Sequence, residues 1–358
     1  MTTKISQVPV NNLPSGTIPL ENQVAGHTFQ EGTDALGMLK DESDDIVLKP
    51  LTKPICGERE KSFYELLQTT KNPCLLALKR LVPEYRGVVT ADVNGKEVEF
   101  LKLVDLTHGM RKPCIMDIKV GKRTWDPLAT KEKILVEEEK YAACKKTIGL
   151  CIPGFQVYDI ETGKLHRFSK DYGKKLNETT FRDTLRLFLN AKSGLCRKLV
   201  IQILLELKSI QKWIRMQAYY KLYSSSILLV YDAEKLETIL HDNKLNCNIG
   251  NGSILSHADI PSDLNTSTMP QDLPYENTKS WCDENTKDYE QTLLHPKSDS
   301  CANKLIVNGR TDDRSWTHVK MIDFAHAFSS DDDSLDTNYM FGIDSLVRIF
   351  EGFLKECG

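Results

Sequence analysis

The chain has 358 residues, of which 40% are hydrophobic and 27% are charged, and its formal net charge at pH 7 is −3. This length allows a protein of two lobes or two domains, and the hydrophobic content is sufficient for a packed core. The slightly acidic balance argues against a general nucleic-acid-binding protein, because such proteins usually carry an excess of basic residues. A small anionic substrate is not excluded, since it needs only a local basic pocket.

The N-terminal sequence lacks the apolar segment of a secretory signal, and the chain contains no run of about 18 apolar residues that would predict a transmembrane helix. The 10 cysteines form neither a Cys-x-x-Cys pair nor a cluster with histidine at zinc-binding spacing. Without a secretory signal, these cysteines are expected to be reduced thiols of a cytosolic or nuclear protein.

The N-terminal part of the chain is predicted to be a short arm followed by two strands. Residues 1–19 are polar and contain three prolines, which predicts a disordered arm. Strands are predicted at Ala35–Lys40 and Ile46–Lys49, on either side of an acidic turn. Lys49 therefore ends an apolar strand, where a lysine is most often solvated unless it has a functional partner.

Helices and a hairpin complete a small N-terminal lobe, predicted at residues 20–104. Helices are predicted from Arg59 to about Thr69, with Glu60 in the first turn, and at Leu75–Leu81. Asn94-Gly95 is the strongest two-residue hairpin signal, and it joins predicted strands on either side. The chain is then expected to cross at Val104–Thr107 into a larger lobe, residues 105–358.

Two apolar segments in the larger lobe each carry an aspartate. Pro113–Gly121 reads Pro-Cys-Ile-Met-Asp-Ile-Lys-Val-Gly, and strand alternation places Asp117 and Lys119 on one face. A second apolar segment, Val319–His326, contains a short predicted strand that ends in Asp323. Charged residues are seldom buried without partners, so this face is expected to meet water, a metal or a phosphate. Two aspartates and a lysine suit a magnesium–nucleotide site, because the metal takes oxygen ligands and the lysine neutralises phosphate charge.

A charged helix is predicted at Thr130–Thr147, where Lys133 and Lys140 are two turns apart on one face. Such a helix is usually a solvated surface with Glu–Lys pairs. The alternative is a row of ammonium groups that binds a polyphosphate.

The remaining segments predict further elements of the larger lobe. A hairpin is predicted at residues 154–168, helices at 179–191, 196–219 and 344–355, and a buried strand at 223–231. The segment from Asp232 to Trp316, about 85 residues, begins with a short predicted helix at Ala233–Leu240 and shows little periodicity after it. Loops of this length inside a compact domain are functional or disordered, and a disordered insertion is predicted at about 241–316.

The order of the candidate groups resembles that of protein kinases: a strand lysine, a helix glutamate, a crossing, Asp-x-Lys and finally Ile-Asp-Phe. The chain lacks the glycine-rich phosphate loop and the His-Arg-Asp and Ala-Pro-Glu motifs. An ordinary protein kinase is therefore disfavoured.

Three separated motifs resemble those of the inositol polyphosphate kinases. Residues 113–121 look like the PxxxDxKxG signature of that family, Ser225-Ser226-Ile227-Leu228 is similar to its Ser-Ser-Leu-Leu element, and Ile322–His326 matches its metal-binding aspartate motif. Within the family, Leu103–His108 and Lys122–Thr130 look most like an inositol polyphosphate multikinase of the kind found in insects. The resemblance implies an α+β, two-lobed, kinase-like fold with antiparallel sheets and packed helices, as in the inositol polyphosphate kinases and SAICAR synthase.

The resemblance also implies ATP and Mg²⁺ as cofactors and assigns residues to their sites. Catalytic roles fall to Asp117 and Lys119, and the metal ligand is Asp323. The residues implied to bind ATP are Lys49, Glu60, Val104, Asp105, Leu106, Asp117 and Asp323. The residues implied to bind the substrate are Lys119, Lys133, Lys140, Gln156 and His326, with Ser225 and Ser226 in supporting positions.

The implied reaction is transfer of the ATP γ-phosphate to inositol 1,4,5-trisphosphate and tetrakisphosphates at the 3- and 6-positions, giving the pentakisphosphate. Phosphatidylinositol 4,5-bisphosphate is a further implied substrate, through its headgroup. The protein is expected to be a monomer of the nucleus and cytoplasm that binds no nucleic acid directly.

Three positions depart from the vertebrate multikinases. Gln156 stands where those enzymes have an arginine and hexakisphosphate kinases a glutamine, and Val136 and Glu137 stand where they have glutamines. The position at which the substrate is phosphorylated is therefore open, and Lys122 and Arg123 are candidates to replace the missing donors.

The alternative functions are a hexakisphosphate kinase that makes pyrophosphates, and a non-catalytic scaffold that uses the fold and the long insertion. The retained lysines and aspartates argue against scaffolding as the only role.

Overall fold

The computed structural model describes residues 13–29, 35–249 and 316–357. The chain divides into two compact units, residues 1–240 with 314–358, and residues 241–313. All sheets lie in the first unit, and the described part of the second is only the end of one helix. Among the described residues, no helix combines the length and the apolar character needed to cross a bilayer.

The N-terminal sheet has five strands, each paired antiparallel with its neighbours in the order β1-β2-β3-β5-β4. The strands are β1 (Thr17–Pro19), β2 (Leu39–Asp41), β3 (Ile46–Pro50), β4 (Tyr85–Val93) and β5 (Lys96–Val104). The predicted hairpin is confirmed: Asn94 and Gly95 both have positive φ, 55° and 78°, as a primed two-residue turn requires. Buried residues from β2 to β5, including Leu39, Leu48 and Phe100, form the core of this sheet.

The arm prediction for residues 1–19 is wrong at its end. Residues 17–19 form β1, because their backbone pairs in register with β2, Thr17 opposite Asp41. Residues 1–12 lie outside the described part of the chain.

Two helices follow β3, and both start earlier than predicted because each begins with a proline at a position where the missing N–H costs nothing. They are α1 (Pro54–Thr69) and α2 (Pro73–Lys79). Glu60 consequently lies in the second turn of α1 and not in the first.

The second sheet has the order β11-β10-β6-β7-β8, again with antiparallel pairs throughout. Its strands are β6 (Pro113–Val120), β7 (Leu150–Tyr158), β8 (Leu165–Phe168), β10 (Ser226–Asp232) and β11 (Thr317–Ile322). A short ribbon pairs β9 (Tyr220–Leu222) with β12 (Ala327–Ser329).

Most of the remaining helices pack against the second sheet. The remaining helices are α3 (Lys131–Glu139), α4 (Ala142–Ile148), α5 (Lys170–Gly173), α6 (Glu178–Phe188), α7 (Arg197–Met216), α8 (Ala233–Ile249) and α9 (Thr337–Glu356), with a 3-10 turn at Ala191–Ser193. The longest two, α7 and α9, pack against each other, and α7 also packs against β11. Because α8 continues to Ile249, the predicted disordered insertion cannot begin at 241; its residues 250–315 lie outside the described residues.

The single helix predicted at Thr130–Thr147 is wrong. The chain leaves the helical conformation at Lys140 (ψ 123°), and Tyr141 is left-handed (φ 58°), so two helices form. The buried Lys145 ammonium donates to the backbone carbonyl of Glu137, which α3 leaves without an intrahelical partner at its C-terminus. This interaction depends on the tertiary fold, so the sequence pattern did not indicate the break.

The observed architecture confirms the predicted α+β class with antiparallel sheets and packed helices. It places β3 and α1 of the N-terminal part opposite the ends of β6, β10 and β11.

Candidate active site

Strand β10 is the middle strand between the two segments that carry the aspartates. Lys119 on β6 lies opposite Ser226 of β10, and Ser226 lies opposite Ile322 of β11. Asp323 directly follows Ile322, so the sheet register brings it to the same edge as Lys119. Ser225 Oγ donates to the Asp323 carbonyl at 2.8 Å, and the Ser226 side chain is fully buried. Ser225 thus supports the turn that carries Asp323, and Ser226 contributes its backbone to the strand pairing on both sides.

Asp323 sits at the centre of a lysine cluster. Its φ of 65° is left-handed, a conformation that costs energy for a non-glycine residue and is concentrated at functional sites. Its Oδ1 is 2.7 Å from Lys49 Nζ, and its Oδ2 is 3.8 Å from Lys119 Nζ. Burial alone would raise the pKa of Asp323, but the charges of Lys49 and Lys119 outweigh burial and hold this pKa below its ordinary value.

Glu60 holds Lys49 and the turn after β11 together. Its Oε1 accepts from Lys49 Nζ at 2.7 Å and from the Phe324 N–H at 3.0 Å, and the residue is almost fully buried. The Phe324 ring stacks on Phe63 of α1 with ring centres 4.0 Å apart. Burial would lower the pKa of Lys49, yet the Asp323 and Glu60 carboxylates raise it above its ordinary value, so this lysine stays charged.

Asp117 has the most unusual environment of the candidate residues. Its side chain is 4% exposed, and Oδ1 is buried with no hydrogen-bond partner among the described residues. Burial raises the pKa of Asp117 to about 6, although Lys119 acts in the opposite direction. A buried carboxylate oxygen without a partner is costly unless a cation meets it.

The two aspartates fit a divalent cation that also binds a nucleotide. The described residues include no cluster of three or more acidic, histidine or cysteine side chains able to hold a metal alone. Mg²⁺ needs no such cluster, because it commonly takes one or two protein carboxylates and completes its shell with phosphates and water. Asp117 and Asp323 provide such a pair.

A cleft of about 280 Å³ connects these groups with the crossing between the two sheets. Its lining includes Lys49, Val104, Asp105, Leu106, Asp117 and Asp323. Glu60 lies behind Lys49 and does not line the cleft. The structure therefore brings the sequence-predicted nucleotide residues to one place. Residues of the segment 20–27 also line the cleft, although the sequence did not mark this segment as part of a site.

The crossing offers fewer free backbone donors than its three predicted residues suggest. The Val104 N–H donates to the Glu84 carbonyl at 2.9 Å, and the Asp105 N–H donates to the Asp45 carbonyl at 2.7 Å. The Leu106 N–H makes no hydrogen bond to any described residue. Leu106 is consequently the donor at this crossing that remains available for a base edge.

A second cluster is centred on Asp126, which sequence reasoning did not single out. Asp126 Oδ2 is 2.5 Å from His326 Nδ1 and 3.9 Å from Lys133 Nζ. Burial lowers the pKa of His326, although Asp126 opposes this shift, so the ring is neutral near pH 7. A neutral ring that donates from Nδ1 to Asp126 leaves Nε2 as a hydrogen-bond acceptor. The available signal was the segment Trp125-Asp126-Pro127, which follows the Asp-x-Lys motif directly.

Two predicted substrate residues make no hydrogen bond or ion pair with the described residues of this cluster. Lys140 Nζ pairs with Glu137 Oε1 at 2.8 Å beyond the end of α3. Gln156 is 1% exposed, donates to the Pro113 carbonyl at 2.9 Å and accepts from Arg167 Nε at 3.3 Å. This buried amide holds strands together through its internal partners, and the substrate-binding assignment of Gln156 stays a prediction that this geometry does not favour.

Comparisons with known proteins agree with this geometry. Residues 100–351 match the family model described as inositol polyphosphate kinase. The chain is 28% identical to the inositol polyphosphate multikinase of Rattus norvegicus, over 97% of this chain and 94% of that protein. It is also 28% identical to inositol hexakisphosphate kinase 1 of Mus musculus, over 74% of this chain and 53% of that protein.

A solved structure shares the fold. It is an inositol phosphate multikinase from S. cerevisiae, in complex with ADP and Mn²⁺, and it superposes with a TM-score of 0.54 at 19% identity. The match covers 87% of this chain and all of that one.

Proposed function

The chain belongs to the inositol polyphosphate kinase family and is an ATP-dependent inositol phosphate kinase, and from this premise we propose that it acts as a multikinase. Its proposed acceptors are inositol 1,4,5-trisphosphate and tetrakisphosphates, phosphorylated at the 3- and 6-positions to give the pentakisphosphate. The observation that carries the proposal is the pair of adjoining clusters, Asp323 with Lys49 and Lys119, and Asp126 with Lys133 and His326.

On the nucleotide side, the proposed roles follow from charge. Lys49, kept charged by two carboxylates, contacts the α- and β-phosphates, and Glu60 orients it. Leu106 donates its free N–H to adenine. Asp323, with Asp117, holds Mg²⁺, which when bound neutralises charge on the nucleotide phosphates. Phosphoryl transfer needs aligned oxygens and positive charge more than covalent catalysis, and this arrangement supplies both.

On the acceptor side, a ring hydroxyl attacks the γ-phosphorus, a new O–P bond forms, and the bond to the bridging oxygen of ADP breaks. Asp117, whose carboxylate lines the cleft beside Lys119, accepts the hydroxyl proton. Lys119 lies between Asp323 and the Ser224 carbonyl and spans the transferring group and the acceptor. Lys133 and His326 bind the acceptor beside it.

Coverage favours a multikinase over a hexakisphosphate kinase. The match to the rat multikinase extends over nearly the full length of both proteins, whereas the match to the mouse hexakisphosphate kinase covers about half of that enzyme.

A product-resolved assay tests the proposal. Purified protein is incubated with labelled ATP and Mg²⁺, and either inositol 1,4,5-trisphosphate or inositol hexakisphosphate as acceptor. We expect tetrakis- and pentakisphosphate from the first acceptor and little transfer to the second. Pyrophosphate products from hexakisphosphate alone would establish the alternative, and no transfer to either acceptor would favour a scaffold.

Three further proposals follow from the family resemblance. Phosphatidylinositol 4,5-bisphosphate in vesicles, added to the same assay, tests the lipid substrate. Light scattering tests the monomeric state, and microscopy of a tagged chain tests residence in the nucleus and cytoplasm.

A further inference from the structure

Arg123 follows the Asp-x-Lys motif closely, and its guanidinium group is held between two aromatic rings. Its central carbon lies 3.6 Å from the ring centre of Trp125 and 4.8 Å from that of Tyr223. A planar guanidinium stacks well on such rings, and the interaction survives partial burial. The residue is half-buried, so part of it remains exposed.

The backbone of Arg123 is fixed as firmly as its side chain. Gly121 turns the chain with φ 107°, and the side chain of Asn338 on α9 then binds Arg123 twice. Asn338 Oδ1 accepts from the Arg123 N–H at 2.9 Å, and Asn338 Nδ2 donates to the Arg123 carbonyl at 2.9 Å. The guanidinium is therefore positioned in advance of any ligand, which reduces the entropy lost on binding.

The stack lies directly beside the Asp126 cluster. The Tyr223 N–H donates to the His326 carbonyl at 3.2 Å, and the charges of both Arg123 and Asp126 affect the pKa of Tyr223, which burial raises overall. The next residue, Ser224, accepts from Lys119 Nζ at 2.7 Å. Arg123 thus borders the space between Lys119 and His326, where the acceptor is proposed to bind.

No described carboxylate lies within ion-pair distance of Arg123. Its Nε donates to the Trp125 carbonyl at 2.9 Å, which leaves the two terminal nitrogens free of described partners. By contrast, the half-buried Arg186 and the exposed Arg215 each pair with a carboxylate at 2.8 Å. Two terminal N–H groups in one plane match the oxygens of a phosphate.

We propose that Arg123 binds a phosphate of the inositol polyphosphate acceptor through its two terminal nitrogens, and that Trp125 and Tyr223 hold it in position. This inference rests on the proposed function and names a specificity residue for it. Arg123 would supply a hydrogen-bond donor to the proposed acceptor site, in which Val136 and Glu137 stand where vertebrate multikinases have glutamines. Lys122, the other basic residue of the segment, instead lies over the Phe341 ring at 3.9 Å.

The test compares Arg123→Gln, Arg123→Lys and Lys122→Gln by steady-state kinetics with inositol 1,4,5-trisphosphate and ATP. A charge-assisted hydrogen bond corresponds to roughly 10-fold or more in affinity. We expect Arg123→Gln to raise the acceptor KM about 10-fold, with the ATP KM and kcat within about 2-fold of wild type. Arg123→Lys keeps the charge but loses the paired donors, so its effect should be intermediate.

Lys122→Gln is the matched control, because it removes the same charge from the neighbouring residue. We expect it to change the acceptor KM by less than about 2-fold. Trp125→Leu should weaken acceptor binding less than Arg123→Gln does, because the guanidinium remains but is less well positioned. Circular dichroism and thermal unfolding of each variant show whether it folds.

Failure of the Arg123 assignment and failure of the proposed function would give different results. An acceptor KM unchanged in folded Arg123→Gln, raised equally with the ATP KM, or matched by Lys122→Gln would overturn the assignment of Arg123. If Arg123→Gln does not fold, Arg123→Lys is the deciding variant. An acceptor KM of Arg123→Lys equal to that of wild type, with the same dependence on salt concentration, would overturn the assignment of Arg123. No transfer by the wild-type protein to any inositol phosphate would instead refute the proposed function.

Discussion

The proposed nucleotide site and the proposed acceptor site are built differently. On the nucleotide side, Lys49, Asp117 and Lys119 come from strands, and Asp323 directly follows one, so sheet register fixes their positions. On the acceptor side, Asp126 lies in a loop and Lys133 on a helix of nine residues. The Lys133 side chain is 48% exposed, whereas the Lys49 side chain is 23% exposed.

This difference suggests that the strand residues serve the transfer reaction and that the loop and helix residues serve selection of the acceptor. The groups that meet the nucleotide need fixed positions, because transfer depends on alignment to fractions of an ångström. The groups that meet the acceptor sit on segments that tolerate substitution without disturbing the sheets. Changes on the nucleotide side should therefore reduce kcat, and changes on the acceptor side should mainly raise the KM of the acceptor.

The largest effect is expected for Asp323→Asn. Removing the charge that pairs with Lys49 and Lys119 should lower kcat by about 1,000-fold or more, because the metal and both lysines lose their common partner. Steady-state assays measure this, and Asp332→Asn in the exposed loop before α9 is the charge-matched control. A kcat within about 10-fold of wild type would show that Asp323 is not a metal ligand.

Asp117→Asn should lower kcat by about 100-fold and yet stabilise the metal-free protein. The pKa of Asp117 is raised from 3.8 to about 6, so between these values the folded state binds protons more tightly than the unfolded state. The stability of the wild-type protein therefore falls as pH rises through this window. In EDTA, the variant should be more stable than wild type by about 2 kcal/mol at pH 8 and by less at pH 5.

Chemical denaturation at the two pH values measures the difference. The pKa of the Asp323 carboxyl is lowered in the folded wild-type protein, so Asp323→Asn should instead lose stability at pH 8. A destabilised Asp117→Asn protein would mean that the buried carboxylate is already satisfied.

Lys133→Ala should raise the KM of the inositol phosphate about 10-fold and leave the KM of ATP unchanged, because its ammonium group lies at the Asp126 cluster. Lys131→Ala, on the exposed face of the same helix, is the control. Equal increases for both substrates would contradict a role restricted to the acceptor.

The smallest effect is expected for Lys140→Ala. Lys140 is 44% exposed and pairs with Glu137, so the acceptor KM should rise by no more than about 3-fold. An effect as large as that of Lys133→Ala would show that Lys140 leaves Glu137 when the acceptor binds.

Sequence reasoning was most successful where periodicity and register decide the structure. Strand alternation placed Asp117 and Lys119 together, and the turn signal at Asn94-Gly95 set the first hairpin. The apolar pattern before Asp323 predicted the second strand, which the structure has at Thr317–Ile322. The nucleotide side was therefore largely predictable.

The acceptor side was not, because its structure depends on contacts distant in sequence. The break between α3 and α4 requires the buried Lys145, and the burial of Gln156 requires Pro113 and Arg167. Asp126 gains its role only when the turn after β11 delivers His326 to it. None of these contacts follows from local pattern.

The central claim is that Asp117 and Asp323, which reach the cleft from either side of β10, hold a divalent ion together with the nucleotide. Electron paramagnetic resonance of Mn²⁺ titrated into the protein with ADP tests this most directly. Wild-type protein should bind Mn²⁺ in a manner that depends on ADP, and Asp117→Asn/Asp323→Asn should lose this binding while remaining folded. ADP-dependent Mn²⁺ binding of unchanged affinity in the double variant would contradict the account.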